Sequence, residues 1–121
     1  MGSLRKCRLS IGNFFTPVDL KLINREILLS FWKVHVLHHA AEGEVIGQWM
    51  LKELAHHGYD VSPGTLYPLL KRMETNGWLT STADATRGPK APRSYKITKE
   101  GRAVLKIVRQ QLKELGVEVG K

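Results

Sequence analysis

Hydroxyl and cationic side chains that could bind an acidic polymer are concentrated between residues 62 and 96. The set combines small or hydroxyl-bearing residues with basic ones: Ser62, Gly64, Thr65, Tyr67, Lys71, Arg72, Arg87, Lys90, Arg93 and Lys96. Lys and Arg bind phosphate oxygens or guanine edges, and hydroxyl groups bind either. The acids in this stretch are Glu74 and Asp84. We therefore predict that the basic and hydroxyl set contacts double-stranded DNA.

A helix is predicted at the start of this stretch. Ser62 is a suitable N-cap, and Pro63 fits the first helical position. Apolar residues then recur at the i, i+3, i+4 and i+7 positions of one buried helix face: Leu66, Leu69, Leu70 and Met73. The opposite face carries Lys71 and Arg72, and Gly77 ends the helix. This profile is typical of a recognition helix in a major groove; an ordinary surface helix with solvated charges is the alternative.

Pro68 falls inside the predicted helix, where it cannot donate to the carbonyl group of Gly64 and would clash with it. Two interpretations remain open. In the first, the initial turn is distorted toward a 3₁₀ geometry, because Gly64 has the backbone freedom to move aside. In the second, the helix begins near Thr65, so that Pro68 lies harmlessly in its first turn.

Two short β-prone runs follow, from Trp78 to Thr82 and from Ser94 to Ile97. The segment between them is rich in turn-forming residues and contains Arg87, Lys90 and Arg93. We predict a β-hairpin with a long, positively charged tip that lies along phosphates or enters a minor groove. A solvated loop without a partner is the alternative.

Apolar faces on the first and last helices predict a homodimer. The first helix is predicted from Thr16–Pro17 to about Ala41, with a break near Asn24. The last, over residues 98–116, follows the N-cap Thr98 and has the apolar spacing of a short coiled coil. The predicted interface residues are Ile27, Phe31, Leu105, Val108, Leu112 and Leu115. Packing of the last stripe on its own chain is the alternative.

Between these helices, residues 44–57 are predicted to form another helix, which Gly58 ends. Its packing residues are predicted to be Val45, Trp49, Leu51, Leu54 and Ala55.

From Leu37 to Gly101 the sequence resembles the PadR family of bacterial transcriptional regulators. Three blocks carry the resemblance: Gly43-Glu44-Val45-Ile46-Gly47, Ser62-Pro63-Gly64-Thr65-Leu66-Tyr67-Pro68 and Arg93-Ser94-Tyr95-Lys96-Ile97-Thr98-Lys99-Glu100-Gly101. The resemblance implies a winged helix-turn-helix, transcriptional repression, dimerisation through the first and last helices, and an unidentified small-molecule effector. A two-fold dimer would read a palindromic operator.

The composition fits one small domain. The chain has 121 residues and a net charge of +8, which favours an acidic partner. We predict a mainly α domain with a small β-hairpin over residues 16–121, and a basic extension over residues 1–15, for which disorder is one interpretation. No signal peptide and no apolar run of the ~20 residues that span a membrane are found, which predicts a cytoplasmic protein without a membrane partner.

Catalytic and metal chemistry are weakly indicated. A single cysteine, Cys7, excludes an intramolecular disulfide and a Cys-based zinc cluster. His35 and His39 have the i, i+4 spacing of helical metal ligands, but only Glu42 could complete the set. We therefore predict no enzyme, no cofactor and no metal site. Two other functions remain open: a winged-helix module that binds proteins, and a ligand- or metal-responsive sensor with weak DNA binding.

Overall fold

The computed structural model describes residues 18–83, 85–88 and 91–120. Its elements are α1 (Leu20–Ile23), a π-helical turn (Asn24–Leu28), α2 (Leu29–Glu42), β1 (Val45–Ile46), α3 (Gly47–His56), α4 (Pro63–Thr75), β2 (Leu79–Ala83), a 3₁₀ turn (Ala85–Arg87), β3 (Arg93–Ile97) and α5 (Lys99–Val119). The predicted fold class, helices around a small antiparallel sheet, is confirmed.

The core lies where α2, α3 and α4 pack against each other and against the sheet. Its buried apolar members among the described residues are Trp32, Val36, Leu37, Ala40, Val45, Met50, Leu54, Leu66, Leu69, Leu70, Met73, Leu79, Tyr95 and Leu105. All four residues of the predicted α4 stripe belong to this core. Burial of that stripe turns the opposite side of α4 to solvent.

The sheet has three strands in the order β1-β3-β2, all antiparallel. β1 corrects the sequence prediction, which placed residues 44–46 in a helix. Val45 pairs with Tyr95 and Ile46 with Ser94, so β1 covers the free edge of the β2–β3 hairpin. β-branched Val and Ile suit this extended pairing, and α3 begins only at Gly47.

The packing face of α3 was predicted only in part. Leu54 is fully buried as expected and Gly58 ends the helix with a φ of 92°. Trp49 and Ala55, however, are exposed, and Met50 takes the inward position instead. The prediction counted Val45 on the helical face, but Val45 lies in β1. The inward face of the helix is instead formed by Gly47, Met50 and Leu54.

Among the described residues, the first helix begins at Leu20, and Asp19 caps it with its carboxylate accepting from the Leu22 N–H at 3.1 Å. The predicted start falls on Thr16–Pro17, and those two residues lie outside the described part of the chain. The predicted break near Asn24 is confirmed as the π-helical turn Asn24–Leu28. The residues 1–15 of the predicted extension also lie outside the described residues.

The recognition-helix candidate α4 begins at Pro63, with Ser62 as its N-cap residue. The interpretation in which it begins near Thr65 is therefore wrong, and Pro68 is a helix-interior proline. The Ser62 carbonyl accepts from the N–H groups of both Thr65 and Leu66, each at 3.0 Å. The Thr65 bond is of the 3₁₀ type, which agrees with a distorted first turn.

The last helix, α5, is anchored to the sheet at its N-terminus and extends to Val119 rather than ending near 116. Thr98 caps it by accepting from the Gly101 N–H at 2.9 Å, and the same hydroxyl donates to the Gly77 carbonyl at 2.6 Å. Gly101 packs directly on the Trp78 carbonyl, where a Cβ atom would overlap it. The N-terminal half of α5 thus belongs to its own chain.

Candidate nucleic-acid interface

The outer face of α4 presents two cations side by side. Lys71 and Arg72 are both exposed, and neither forms an ion pair with a residue that the structure describes. Their charge is therefore not compensated locally, and both side chains can move to meet a phosphate or a base edge.

The N-terminal turn of α4 adds hydroxyl groups to this face. Ser62 is the N-cap residue, but its side chain does not cap a described backbone N–H. Its hydroxyl instead donates to the Thr65 hydroxyl at 3.2 Å. Gly64 lies between them, and a Cβ there would have only the Ser62 hydroxyl within 4 Å, at 3.8 Å. A helix N-terminus with small residues lets a phosphate approach the backbone closely.

Tyr67 is positioned by a glycine of the preceding helix. Its ring lies on Gly47, so closely that a Cβ atom on residue 47 would overlap the ring. Tyr67, Tyr95 and Arg93 line one cleft of about 420 Å³ between α4, the start of α3 and the base of the wing, which is the β2–β3 hairpin over residues 79–97. Burial, and secondarily the charge of Glu74, raises the pKa of Tyr95, which keeps this phenol neutral.

Arg93 is held at the base of the wing by a polar chain that the sequence did not indicate. The Ser81 hydroxyl donates to the Glu74 carboxylate at 2.8 Å and accepts from Arg93 Nη1 at 3.1 Å. Glu74 comes from α4 and Ser81 from β2, so the chain links the wing to the helix. No spacing in the sequence marks these three residues as neighbours.

Lys96 is not brought together with the other predicted DNA contacts. Successive residues of a strand point to opposite faces, so Lys96 lies on the face of β3 opposite Arg93 and Tyr95. There its ammonium group lies 3.6 Å from Glu44, whose carboxylate also accepts from the Ser94 hydroxyl at 2.8 Å. Arg87 is exposed in the 3₁₀ turn of the hairpin tip, and Lys90 lies outside the described residues.

The predicted dimer residues divide into two groups. Leu105 is 3% exposed and therefore offers almost no surface to a second chain. Val108 is half-buried, whereas Ile27, Phe31, Leu112 and Leu115 are exposed. A groove of about 410 Å³ runs between α2 and α5, and it is lined by Ser30, Phe31, Val34, His35, His38, Leu105, Arg109 and Leu112.

The described residues include no helix that is both long and apolar enough to cross a bilayer.

The sequence of this winged helix-turn-helix matches that of a known protein family. Residues 36–107 match the model of the family described as "Transcriptional regulator PadR-like family". The chain belongs to this PadR-like family. Its winged helix-turn-helix is therefore that of a DNA-binding transcriptional regulator. The family and the relatives described next are transcription regulators and not enzymes.

The PadR-like chain is similar to several known proteins. It is 48% identical over 95 residues to Transcriptional regulator Rv3488 of Mycobacterium tuberculosis, covering 78% of this chain and 88% of that protein. The crystal structure of a PadR family transcriptional regulator from Eggerthella lenta is 34% identical, with a TM-score of 0.62, and the match covers 84% of this chain and 92% of that one. A PadR-like transcription factor from Bacteroides fragilis, at 23% identity, a TM-score of 0.69 and coverage of 81% and 95%, shares the fold.

Proposed function

We propose that this PadR-like regulator is a homodimeric repressor that binds a palindromic DNA operator through α4 and the β2–β3 wing. One observation carries the proposal: α4 buries its whole apolar stripe and turns Lys71 and Arg72 to solvent, neither of them in an ion pair with a described residue. An α-helix fits within a major groove. The two cations complement the negative charge of the phosphates that border the groove.

The contacts are assigned by position on this surface. Thr65, Tyr67, Lys71 and Arg72 enter the major groove, while Ser62 and Gly64 meet a phosphate at the helix N-terminus. The wing contacts are Arg87, Lys90 and Arg93, and the link to Glu74 aligns Arg93 with the cleft beside Tyr67. Because Lys96 is paired with Glu44 on the other face, it serves only as a peripheral phosphate contact.

The homodimer is supported by apolar surface on both terminal helices. Phe31 faces the α2–α5 groove, and Leu112 lies on its opposite wall. A second copy that covers Ile27, Phe31, Leu112 and Leu115 removes these side chains from water. Its two-fold axis places two copies of α4 on half-sites about one helical turn, ~34 Å, apart.

Repression follows from occupancy, since a dimer bound across a promoter excludes polymerase sterically. The groove between α2 and α5 is continuous with the proposed interface, so a small apolar effector seated there would act on the spacing of the two DNA-binding units. The protein is expected to act in the cytoplasm, where bacterial DNA lies.

Selection of bound duplexes from a random pool tests the proposal. The expected result is an inverted repeat with half-sites about 10 base pairs apart, bound with a log K that falls steeply with log salt. Recovery of no sequence, together with salt-independent or absent duplex binding, would instead favour a winged-helix module that binds proteins. Transcription in vitro from a promoter that carries the selected site then distinguishes repression from activation.

A further inference from the structure

A cluster of metal-ligating side chains lies between α2 and α3, away from the DNA face. It consists of His35 and His39 of α2 with Glu53 of α3 and His57, the C-cap residue of that helix. His35 and His39 are four residues apart, as are Glu53 and His57. The two side chains of each pair therefore lie on the same side of their helix. Ligand nitrogens of the three imidazoles all lie within 4.8 Å of one another.

We propose that this His/Glu cluster binds a divalent transition-metal ion, with Zn²⁺ as the ion that its ligands suit best. Three imidazoles and one carboxylate form a four-ligand set typical of zinc. Glu53 Oε2 lies 3.3 Å from His39 Nε2 and 3.1 Å from His57 Nε2. In a tetrahedral zinc site with bonds of about 2.0–2.1 Å, ligand atoms lie roughly 3.3 Å apart.

A second carboxylate lies on the far side of His39. His39 Nδ1 lies 3.6 Å from Glu42, whereas its Nε2 faces Glu53. If metal binding draws Glu42 to hydrogen-bond distance of Nδ1, the proton is held there and the Nε2 lone pair is free to bind the ion. This arrangement of carboxylate, imidazole and metal orients ligands in many zinc sites.

Two aromatic rings flank the cluster. The ring of Tyr59 lies 5.3 Å from that of His35, and the ring of Trp49 lies 5.2 Å from that of His39. His57, whose side chain is 43% exposed, leaves the cluster accessible to an ion from solvent.

A second grouping, His38 with His39 and Glu42, is the weaker candidate. Arg109 Nη2 donates to His38 Nδ1 at 3.1 Å, which occupies one nitrogen and places a positive charge beside the site. The Glu42 side chain is also 64% exposed. The two groupings share His39, and variants of the other residues distinguish them.

The test is metal binding to the tag-free protein in a Cys7→Ser background, which removes the chain's one thiol. The metal-stripped protein is titrated with Zn²⁺ by calorimetry at pH 7.5, and with Co²⁺, whose tetrahedral complexes absorb strongly in the visible. We expect one equivalent per chain, a tetrahedral Co²⁺ spectrum, and a rise in Tm on the order of 5–10 °C at saturating Zn²⁺.

His57→Ala, Glu53→Gln and His35→Ala should each weaken Zn²⁺ binding at least 10-fold, and His35→Ala/His57→Ala together should abolish it. His56→Ala, an exposed histidine adjacent in sequence to His57, is the matched control and should bind as the parent does. Each variant is compared with its own metal-free Tm, so a general loss of stability does not mimic a loss of binding. The proposal is overturned if the parent does not bind Zn²⁺, if the double variant still binds it, or if His38→Ala alone abolishes binding.

Discussion

The ring of Tyr67 lies directly on Gly47, at the point where α4 crosses the start of α3. This contact sets the direction in which the Tyr67 hydroxyl leaves the helix, since no side chain intervenes between the ring and the α3 backbone. The glycine therefore influences the proposed DNA-contact surface of α4 without belonging to it.

Gly47→Ala should displace the Tyr67 ring and weaken operator binding several-fold. Tyr67 is partly exposed and can swing outward, so the free energy of unfolding should fall by no more than the ~1–3 kcal/mol of overpacking. Gly43→Ala is the control, because a Cβ there would meet nothing within 4 Å. Equal operator affinity of the two variants and the parent would remove Tyr67 orientation from the recognition mechanism.

Replacing Arg87, Lys90 and Arg93 by Ala should leave the fold intact and weaken binding to any duplex. The slope of log K against log salt should fall by about 0.9 for each phosphate that the variant no longer neutralises. Lys96→Ala is the matched comparison and should change both quantities much less, because Lys96 lies on the other face of β3 with Glu44. A triple variant with the parent's slope would contradict the proposed role of the wing.

Leu112→Glu should shift the protein from dimer to monomer. Leu112 is 43% exposed in the single chain, so the new charge stays solvated in the monomer but is costly inside an apolar interface. Light scattering measures the mass, and thermal unfolding checks that the monomer is folded. The neighbouring Gln111→Glu introduces the same charge as a control. A folded Leu112→Glu dimer would exclude this part of α5 from the interface.

Pro68→Ala should stabilise the protein by up to ~3 kcal/mol, because it restores an interior helical N–H and relieves the clash with Gly64. If the distorted first turn sets the docking angle, the same variant should bind the selected operator more weakly. Pro63→Ala, at the first helical position, should give no comparable gain. Denaturant unfolding and operator titration measure the two effects, and a stabilised variant with undiminished affinity would show that Pro68 has no part in recognition.

The metal-free protein should lose stability as the pH falls. The pKa of His35 is depressed below its ordinary 6.5 in the folded chain, so below about pH 7 the unfolded chain binds more protons and unfolding becomes easier. His39, His57, His38 and Glu53 face the same ring, and Glu53 opposes the effect. Urea midpoints between pH 7.5 and 5.5, with a chelator present, should fall less in His35→Gln than in the parent. Parallel profiles would contradict the assignment to His35.

Features governed by local chain chemistry were predictable from the sequence. The α4 stripe from Leu66 to Met73, the Thr98 cap and the terminating glycines Gly58 and Gly77 all depend on residues within a turn or two of one another. Helical period, capping and left-handed glycine conformations are short-range properties, so the winged helix-turn-helix and the cationic outer face of α4 could be inferred without coordinates.

Only the tertiary structure decided which distant residues meet. β1 forms because Val45 finds the edge of β3 fifty residues later, and Arg93 is fixed by Ser81 and, through it, by Glu74 of another element. The contact of Lys96 with Glu44 likewise joins β3 to the segment that precedes β1. His57 joins His35 because α2 packs on α3, and helical period alone says nothing about which helix lies opposite. Such contacts depend on the packing of the whole core, which no local pattern encodes.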